Sequence, residues 1–489
     1  MSRAVYPRIA TLKTAGAFRA HLAASGIALD FDDDLAPAGK SPLAEPIDID
    51  GVRVGNRFCV LPMEGWDGTR DGRPSEHTRR RWERFGLSGA KFIWGGEAAA
   101  VRHDGRASPN QLLISEANLP AIADLRETLV RSHRDRFGPN ADSDLYVGLQ
   151  LTHSGRYAKP NASDRPEPLA AAPHPVLDRR VPNGVGIITD DDLDSLVDEF
   201  VAAAGRAARA GFRFVDVKLC HGYLGHELIG SRYRPGPYGG SIENRLRFPR
   251  RIIEGIRAAV PGLAIGVRLS AFDVVPYRKG TDAVGEPDDA PAKAELPGFG
   301  VLPADDRLDA ALADARALIG MLESLGVRMI NVTGGSPYYC PHVQRPAYFP
   351  PADGYLPPED PLRGVARQIA ATAALKAAFP GMTFVGSAYS YLQEWLPHVG
   401  QFAVRTGMTD FVGLGRVMLS YPELAADVLE GRSLQRGLVC RTFSDCTTGP
   451  RLGHISGCYP LDTYYKQMPH AAEVTGVRTA MTAGEGKRR

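Results

Sequence analysis

Eight short apolar runs recur along the chain: Phe58–Met63, Phe92–Gly95, Leu145–Leu151, Phe212–Leu219, Ala264–Leu269, Met329–Thr333, Thr383–Gly386 and Phe411–Gly415. They are mostly apolar, broken by single polar residues such as Gln150, Asp216, Lys218, Arg268 and Asn331, which predicts strands buried on both faces, as in a parallel sheet. Between Asp190 and Gly211 the period changes. Leu193, Leu196, Val197, Phe200, Val201, Ala204 and Ala208 fall at i, i+3, i+4 and i+7, one apolar face of a helix. Thr189 is placed to cap its start, Asp190 to Asp192 suit the positive end of its dipole, and Gly211 ends it. The run Phe212–Leu219 follows at once. Helix and strand alternating in this way predict βα units. Eight units favour a closed TIM (β/α)8 barrel, an α/β fold, over an open doubly wound sheet. No Gly-x-Gly-x-x-Gly follows the first run, which weighs against a dinucleotide-binding fold.

A barrel of about 250 to 400 residues absorbs most of the 489-residue chain as one domain. The expected division is a short N-terminal extension at 1–46, the barrel at 47–435, and a cysteine-containing C-terminal extension at 436–489 that serves as a lid and ends in a disordered tail from about Ala471. In the N-terminal part, Thr11–Ile27 has a weak helical pattern, and Pro37, Pro42 and Pro46 mark an extended connector. Two segments break the repeat: Pro160–Gly186 after the third run and Val275–Asp305 after the fifth. Both would sit on the face where barrel active sites form, so they read as lids or as disordered insertions.

The formal net charge of +2 gives no reason to expect nucleic acid or a membrane surface as a partner. No apolar run reaches the roughly 18 residues of a spanning helix, and the N-terminus lacks the apolar core of a signal peptide. Six cysteines in a chain of this length do not make a disulfide scaffold. The expectation is a cytoplasmic protein with a small-molecule substrate, no nucleic acid and no membrane; a homo-oligomer stays open.

In a barrel the strand ends converge on one site. Gly386, Gly415 and Arg416 end the seventh and eighth runs, where barrels commonly bind phosphate: glycines admit an anion to backbone amides and Arg416 adds a bidentate cation. Gln150 both donates and accepts, which suits the edge of a pyrimidine-like ring, and Arg268 is a fixed cation for a negatively charged reduced ring. Together these describe a site for flavin mononucleotide. A structural polar layer inside the barrel is the plainer reading of Gln150 and Arg268.

Longer motifs narrow this. His221-Gly222-Tyr223-Leu224, then Tyr238-Gly239-Gly240-Ser241-Ile242-Glu243-Asn244-Arg245 and Arg247-Phe248, together with Gln150–Arg156, Asn56-Arg57-Phe58, Pro62-Met63, Gly105-Arg106 and Gly413–Arg416, resemble the old yellow enzyme family of ene reductases and 2,4-dienoyl-CoA reductases over roughly residues 44–435. The resemblance implies a TIM barrel with non-covalent FMN and NAD(P)H as co-substrate. Pro62, Met63, Ala98, Gln150, Arg268, Gly386, Ser387, Gly415 and Arg416 would hold the cofactor. His221 would bond the activating carbonyl of an alkene, and Tyr223 would donate the proton.

The chain departs from the family in three places. Glu64 stands where a Thr or Cys usually touches the flavin. Lys218 stands where most ene reductases have a second His, so it reads either as a carbonyl- or anion-clamping cation or as one half of an ion pair with Glu64 or Glu97. The four-cysteine cluster motif of the dienoyl-CoA reductases is half filled: Cys446 and Cys458 match, Val439 and Thr442 replace the first two, and Cys440 is displaced by two residues. An iron–sulfur site would need Cys340 from a distant loop, and a zinc site would need Cys440, Cys446, His454 and Cys458 at unusual spacing. The expectation is no metal, and no room for the further nucleotide-binding domains of such relatives. Beside alkene reduction stand three alternatives: a flavin dehydrogenase, a Lys218 Schiff-base lyase, and a flavoprotein without catalysis.

Overall fold

The computed structural model describes residues 6–289, 296–303 and 305–486. All eight expected runs are strands: β1 (Phe58–Val60), β2 (Phe92–Ile93), β3 (Tyr146–Thr152), β4 (Phe214–Leu219), β5 (Ala264–Ser270), β6 (Met329–Thr333), β7 (Thr383–Gly386) and β8 (Phe411–Leu414). Each pairs in parallel with the next, and β8 closes onto β1 through Val412 opposite Phe58. The fold is a closed (β/α)8 barrel.

The barrel interior changes character along its axis. At the N-terminal end of the strands, Phe92, Trp94, Tyr146, Phe214 and Phe411 form a buried aromatic plug, with the Phe92 and Phe411 ring centres 4.8 Å apart. Further along, the inward positions turn polar. Arg268 is level with Lys218 on one side and Asn331 on the other, and Gln150 is level with Asp216. The apolar end supplies burial; the polar end faces the mouth, where the loops after the strands gather.

The helix read at Asp190–Arg209 forms as expected, with the Thr189 hydroxyl accepting from the Asp192 amide at 3.1 Å. Its buried face includes Ala203 and Ala207, while Val201 packs sideways over Gly255, where an added Cβ would come within 2.6 Å of it. The N-terminal extension is packed onto the barrel. Phe18, on the helix Ala15–Ala24, stacks on Trp395 at 4.9 Å, and the Trp395 indole donates to the carbonyl of Leu12.

Both irregular insertions carry ordered structure. Leu169–Ala170 pairs with Gly186–Ile187 in the first, and Tyr277–Lys279 with Gly285–Pro287 in the second. Arg180 clasps them together through the Tyr277 carbonyl at 2.9 Å and Asp288 at 2.8 Å. Residues 290–295 and 304 of the second insertion lie outside the described residues.

The C-terminal tail differs from its expectation. Residues Ala471–Gly486 form a helix rather than an unstructured end, because Val474 is buried in a cluster with Tyr459 and Tyr465 and Arg478 pairs with Asp445 at 2.7 Å. Residues 487–489 lie outside the described set. Among the described residues no helix is long and apolar enough to cross a membrane.

Candidate active site

At the C-terminal end of the strands lies an open-mouthed cavity of about 210 Å³. Pro62, Met63, Gln150 and Arg268 line it from the strand ends, as do Glu64, Lys218, His221 and Tyr223. Arg416 lines it as well. A larger vestibule of about 600 Å³ adjoins it and shares Trp66, Tyr338 and Arg451 with it. Tyr157 stacks on Tyr338 at 3.8 Å in this vestibule.

The polar layer explains how two of these residues are held. The Gln150 amide donates to Asp216 at 2.5 Å, and the other Asp216 oxygen accepts from the Arg268 backbone at 2.7 Å. Burial lifts the Asp216 carboxyl to about 6. Gln150 therefore has its carboxamide oriented by the barrel, as the plainer reading held, and still lines the cavity. The Arg268 guanidinium reaches only the Pro62 carbonyl, at 3.4 Å, and its Nε is buried without a partner.

At the far side, Arg416 donates to the Pro346 carbonyl at 2.6 Å, and its Nη1 is buried without a partner. Arg345 likewise has a buried Nη1 with no partner. Beside Arg416 there is open space: a Cβ added at Gly415 would meet nothing nearer than Ser390 Oγ at 4.0 Å. Open guanidinium donors beside free space fit an anion-bearing ligand such as FMN. Ala98, Gly386 and Ser387 stand behind the cavity wall. Ala98 pairs across the sheet with Gln150, Gly386 packs against Tyr389, and the Ser387 hydroxyl accepts from Asn331 at 3.2 Å.

The chemistry-bearing side chains meet at Glu64. Its carboxylate accepts from Lys218, from the Tyr223 hydroxyl at 2.6 Å and from the Trp66 indole at 3.1 Å. Lys218 also sits 3.7 Å from the centre of the Tyr223 ring, and the Tyr223 and Tyr338 hydroxyls are 3.0 Å apart. Burial and the adjacent Glu64 carboxylate push the Tyr223 phenol well above its ordinary range.

The turn that carries Glu64 is fixed from beneath by a buried charge network. Arg81 bonds Asp67 at 2.5 and 2.9 Å and Glu97 at 2.6 Å, and Glu97 accepts from the Gly65 amide at 3.1 Å. Position 65 must be glycine here, because a Cβ would collide with the Arg81 guanidinium at 2.1 Å. Glu97 is thus taken by Arg81, which leaves Glu64 as the partner of Lys218.

His221 has a left-handed backbone, φ 68°, followed by Gly222 at φ 77°. Such a conformation in a non-glycine residue is strained and persists only where its surroundings enforce it. Here the Ser270 hydroxyl accepts from the His221 amide at 3.0 Å and the Ser336 hydroxyl donates to its carbonyl at 2.7 Å. The His221 ring is held neutral by burial and by the nearby Arg268 and Lys218 charges. Its Nε2 lies 2.9 Å from the Gln344 side-chain amide, which orients the ring.

Several lining residues carry no signal in the sequence. Tyr338, Gln344 and Arg345 come from the irregular loop after β6, and Pro450 and Arg451 from the C-terminal extension, whose helix Asp445–Arg451 covers the mouth and also brings Cys446 to the cavity. Cys340 is engaged elsewhere, its sulfur accepting from the Ser336 amide at 3.1 Å. Among the described residues no group of three or more His, Cys, Asp or Glu is arranged to hold a metal ion.

Comparison with known proteins agrees with this geometry. The family model described as NADH:flavin oxidoreductase / NADH oxidase matches residues 42–287, about half of the chain. An NADH:flavin oxidoreductase of Gibberella zeae is 30% identical over 260 residues, covering 49% of this chain and 59% of the relative. An NADPH dehydrogenase of a Geobacillus strain is 31% identical over 246 residues, covering 48% of this chain and 64% of the relative. The match therefore spans less than two thirds of either relative. In fold the chain is similar to the solved old yellow enzyme homologue from Zymomonas mobilis, with a TM-score of 0.56 at 20% identity, covering 82% of this chain and 96% of that one. The chain belongs to the NADH:flavin oxidoreductase / NADH oxidase family, that of the old yellow enzymes.

Proposed function

We propose that the chain is an FMN-dependent oxidoreductase that moves hydride from NAD(P)H to an activated, carbonyl-conjugated alkene. The observation that carries this reading is the set of buried, unpartnered guanidinium nitrogens on Arg268, Arg345 and Arg416 around one cavity at the barrel mouth. Gly415 and Arg416 would hold the phosphate, Gln150 would read the ring edge, and Arg268 would balance the anionic reduced ring. Pro62, Met63 and Glu64 line the same cavity beside the ring position. Ala98, Gly386 and Ser387 would contribute backbone groups only. The chemistry a bound FMN supplies is two-electron transfer, hydride in from the nicotinamide and hydride out to the alkene.

The chain's own residues supply the rest. The neutral His221 would donate a hydrogen bond from its protonated ring nitrogen to the substrate carbonyl, where negative charge develops. Tyr223 holds its proton and would release it to the substrate carbon. Lys218 acts as a positioning residue. Its ammonium pairs with Glu64, and that carboxylate in turn fixes Tyr223. The Glu64 pairing speaks against Lys218 acting as a clamp for an anionic substrate or as a Schiff-base amine.

One observation favours a second reading. The Tyr223 hydroxyl donates to Glu64, which aims its proton at a carboxylate rather than into the cavity. That arrangement suits proton abstraction in a flavin dehydrogenase. Turnover with NADPH and an enone, set against anaerobic bleaching by amine or alcohol substrates, separates the two.

The purified protein is expected to be yellow and to release one FMN per chain on heating. Absorbance from 350 to 500 nm, roughly, and chromatography of the heat-released fraction check this. FAD in that fraction, or no flavin bands after reconstitution with FMN, would sink the assignment.

A further inference from the structure

The turn after β4 delivers His221 and Tyr223 to the mouth, and two successive residues of it, His221 and Gly222, stand in the left-handed region. A buried turn of this shape persists only if its amides find acceptors. The His221 amide has the Ser270 hydroxyl, the Tyr223 amide the Cys220 carbonyl at 3.4 Å, and the Leu224 amide the His153 carbonyl at 3.2 Å. The Gly222 amide donates instead to Nδ1 of His226 at 2.9 Å, a side chain one turn further on, in the helix Leu224–Ile229. The carbonyl of the same peptide, that of His221, accepts from the Ser336 hydroxyl at 2.7 Å. The His221–Gly222 peptide plane is therefore gripped at both ends of its dipole, by Ser336 at C=O and by His226 at N–H.

His226 is 3% exposed, and burial draws its ring down to about 4, so the ring is neutral at neutral pH. An Nδ1 that accepts a backbone N–H leaves the ring proton on Nε2. That Nε2 is buried without a partner among the described residues, beside a small cavity of about 40 Å³ lined by Asp273, Val274 and Phe299. A stranded donor costs stability, and a phenyl ring of similar size would avoid that cost. What a histidine adds over a phenyl ring here is the acceptor at Nδ1.

We propose that His226 is a positioning residue for the reaction: by fixing the plane of the His221–Gly222 peptide from behind, it aims the His221 ring at the substrate carbonyl. His226 does not itself line the cavity at the mouth, whereas His221 does. The assignment rests on the reading of His221 as the donor to that carbonyl.

The test uses the FMN-loaded enzyme with kcat/KM for an enone as the readout, at saturating NADPH. His226→Phe and His226→Asn are compared, each in the wild-type and in the His221→Ala background. The phenyl ring keeps the volume and accepts nothing, while the asparagine Oδ1 falls where Nδ1 does and still accepts. His226→Phe is expected to lower kcat/KM roughly 10- to 100-fold, the cost of a misplaced reacting group. His226→Asn should stay within about threefold of wild type, because it restores the acceptor. In the His221→Ala background His226→Phe should cost less than about twofold, since no ring is left to aim. A role in packing alone reverses the order, Phe being tolerated and the smaller Asn leaving a void, and that order overturns the proposal. An equal loss from His226→Phe in both backgrounds overturns it as well, because His226 would then act through Tyr223 or through stability. Full enone turnover by His221→Ala overturns the reading of His221 as the donor, and the aiming role with it. Wild type without enone reduction overturns the alkene-reductase reading itself.

Discussion

Tyr223→Phe is expected to slow re-oxidation of the reduced enzyme by an activated alkene about 10²- to 10⁴-fold while leaving reduction by NADPH within about twofold. The asymmetry follows from what the hydroxyl touches. Tyr223 is 2% exposed, its hydroxyl lies 2.6 Å from Glu64 and 3.0 Å from that of Tyr338, and its proton is held tightly by burial beside a carboxylate. A phenol of that kind donates only when a developing carbanion is presented to it, which happens in alkene reduction and not in hydride transfer from a nicotinamide. Removing the oxygen leaves the ring and its contact with the Lys218 ammonium in place. Stopped-flow measurement of the two half-reactions is the check. Equal slowing of both half-reactions, or of neither, rules out Tyr223 as the donor. Faster loss of amine or alcohol oxidation than of enone reduction would move the assignment to the dehydrogenase reading.

The barrel was legible because burial on both faces leaves a mark at every strand: eight mostly apolar runs, several of them carrying polar residues near their ends. The strand-borne part of the site was legible for the same reason. Gln150, Lys218 and Arg268 sit at the end of such runs, so their meeting at the mouth follows from closure alone. Pairing was harder. Glu64 and Lys218 lie 154 positions apart, and only the three-dimensional turn at Gly65, pinned by Arg81 and Glu97, brings the carboxylate to the ammonium. Sequence left Glu64 and Glu97 equally eligible, because nothing local reveals that Arg81 claims Glu97. The cover was legible only as a C-terminal lid, not in the residues it brings to the site. Tyr338, Arg345 and Arg451 come from segments with no period, where loop conformation rather than hydrophobic pattern sets position. The terminal helix was missed because its anchors are a few scattered contacts, Val474 with Tyr459 and Tyr465 and Arg478 with Asp445, rather than an apolar stripe.

The ion pair at the centre of the site gives the largest expected effect on stability. The Lys218 side chain is 2% exposed and that of Glu64 14%. Breaking a buried pair from one side leaves an uncompensated charge and costs about 3–5 kcal/mol, whereas removing both charges together is often close to neutral. Lys218→Met is therefore expected to lose about 3 kcal/mol, the low end because Glu64 keeps some contact with water and retains the Tyr223 and Trp66 donors. Glu64→Gln is expected to lose somewhat less, since the freed ammonium keeps its place over the Tyr223 ring. The double variant Lys218→Met/Glu64→Gln should regain most of the loss, which makes the coupling between the two positions a few kcal/mol. Denaturant unfolding of the four proteins, each without added flavin, closes the cycle. Additive losses in the double variant would mean that the two side chains act independently, and Tyr223 would then owe its orientation to Tyr338 rather than to Glu64. A stable Lys218→Met would count the same way, because no positioning role survives if the pair carries no coupling energy.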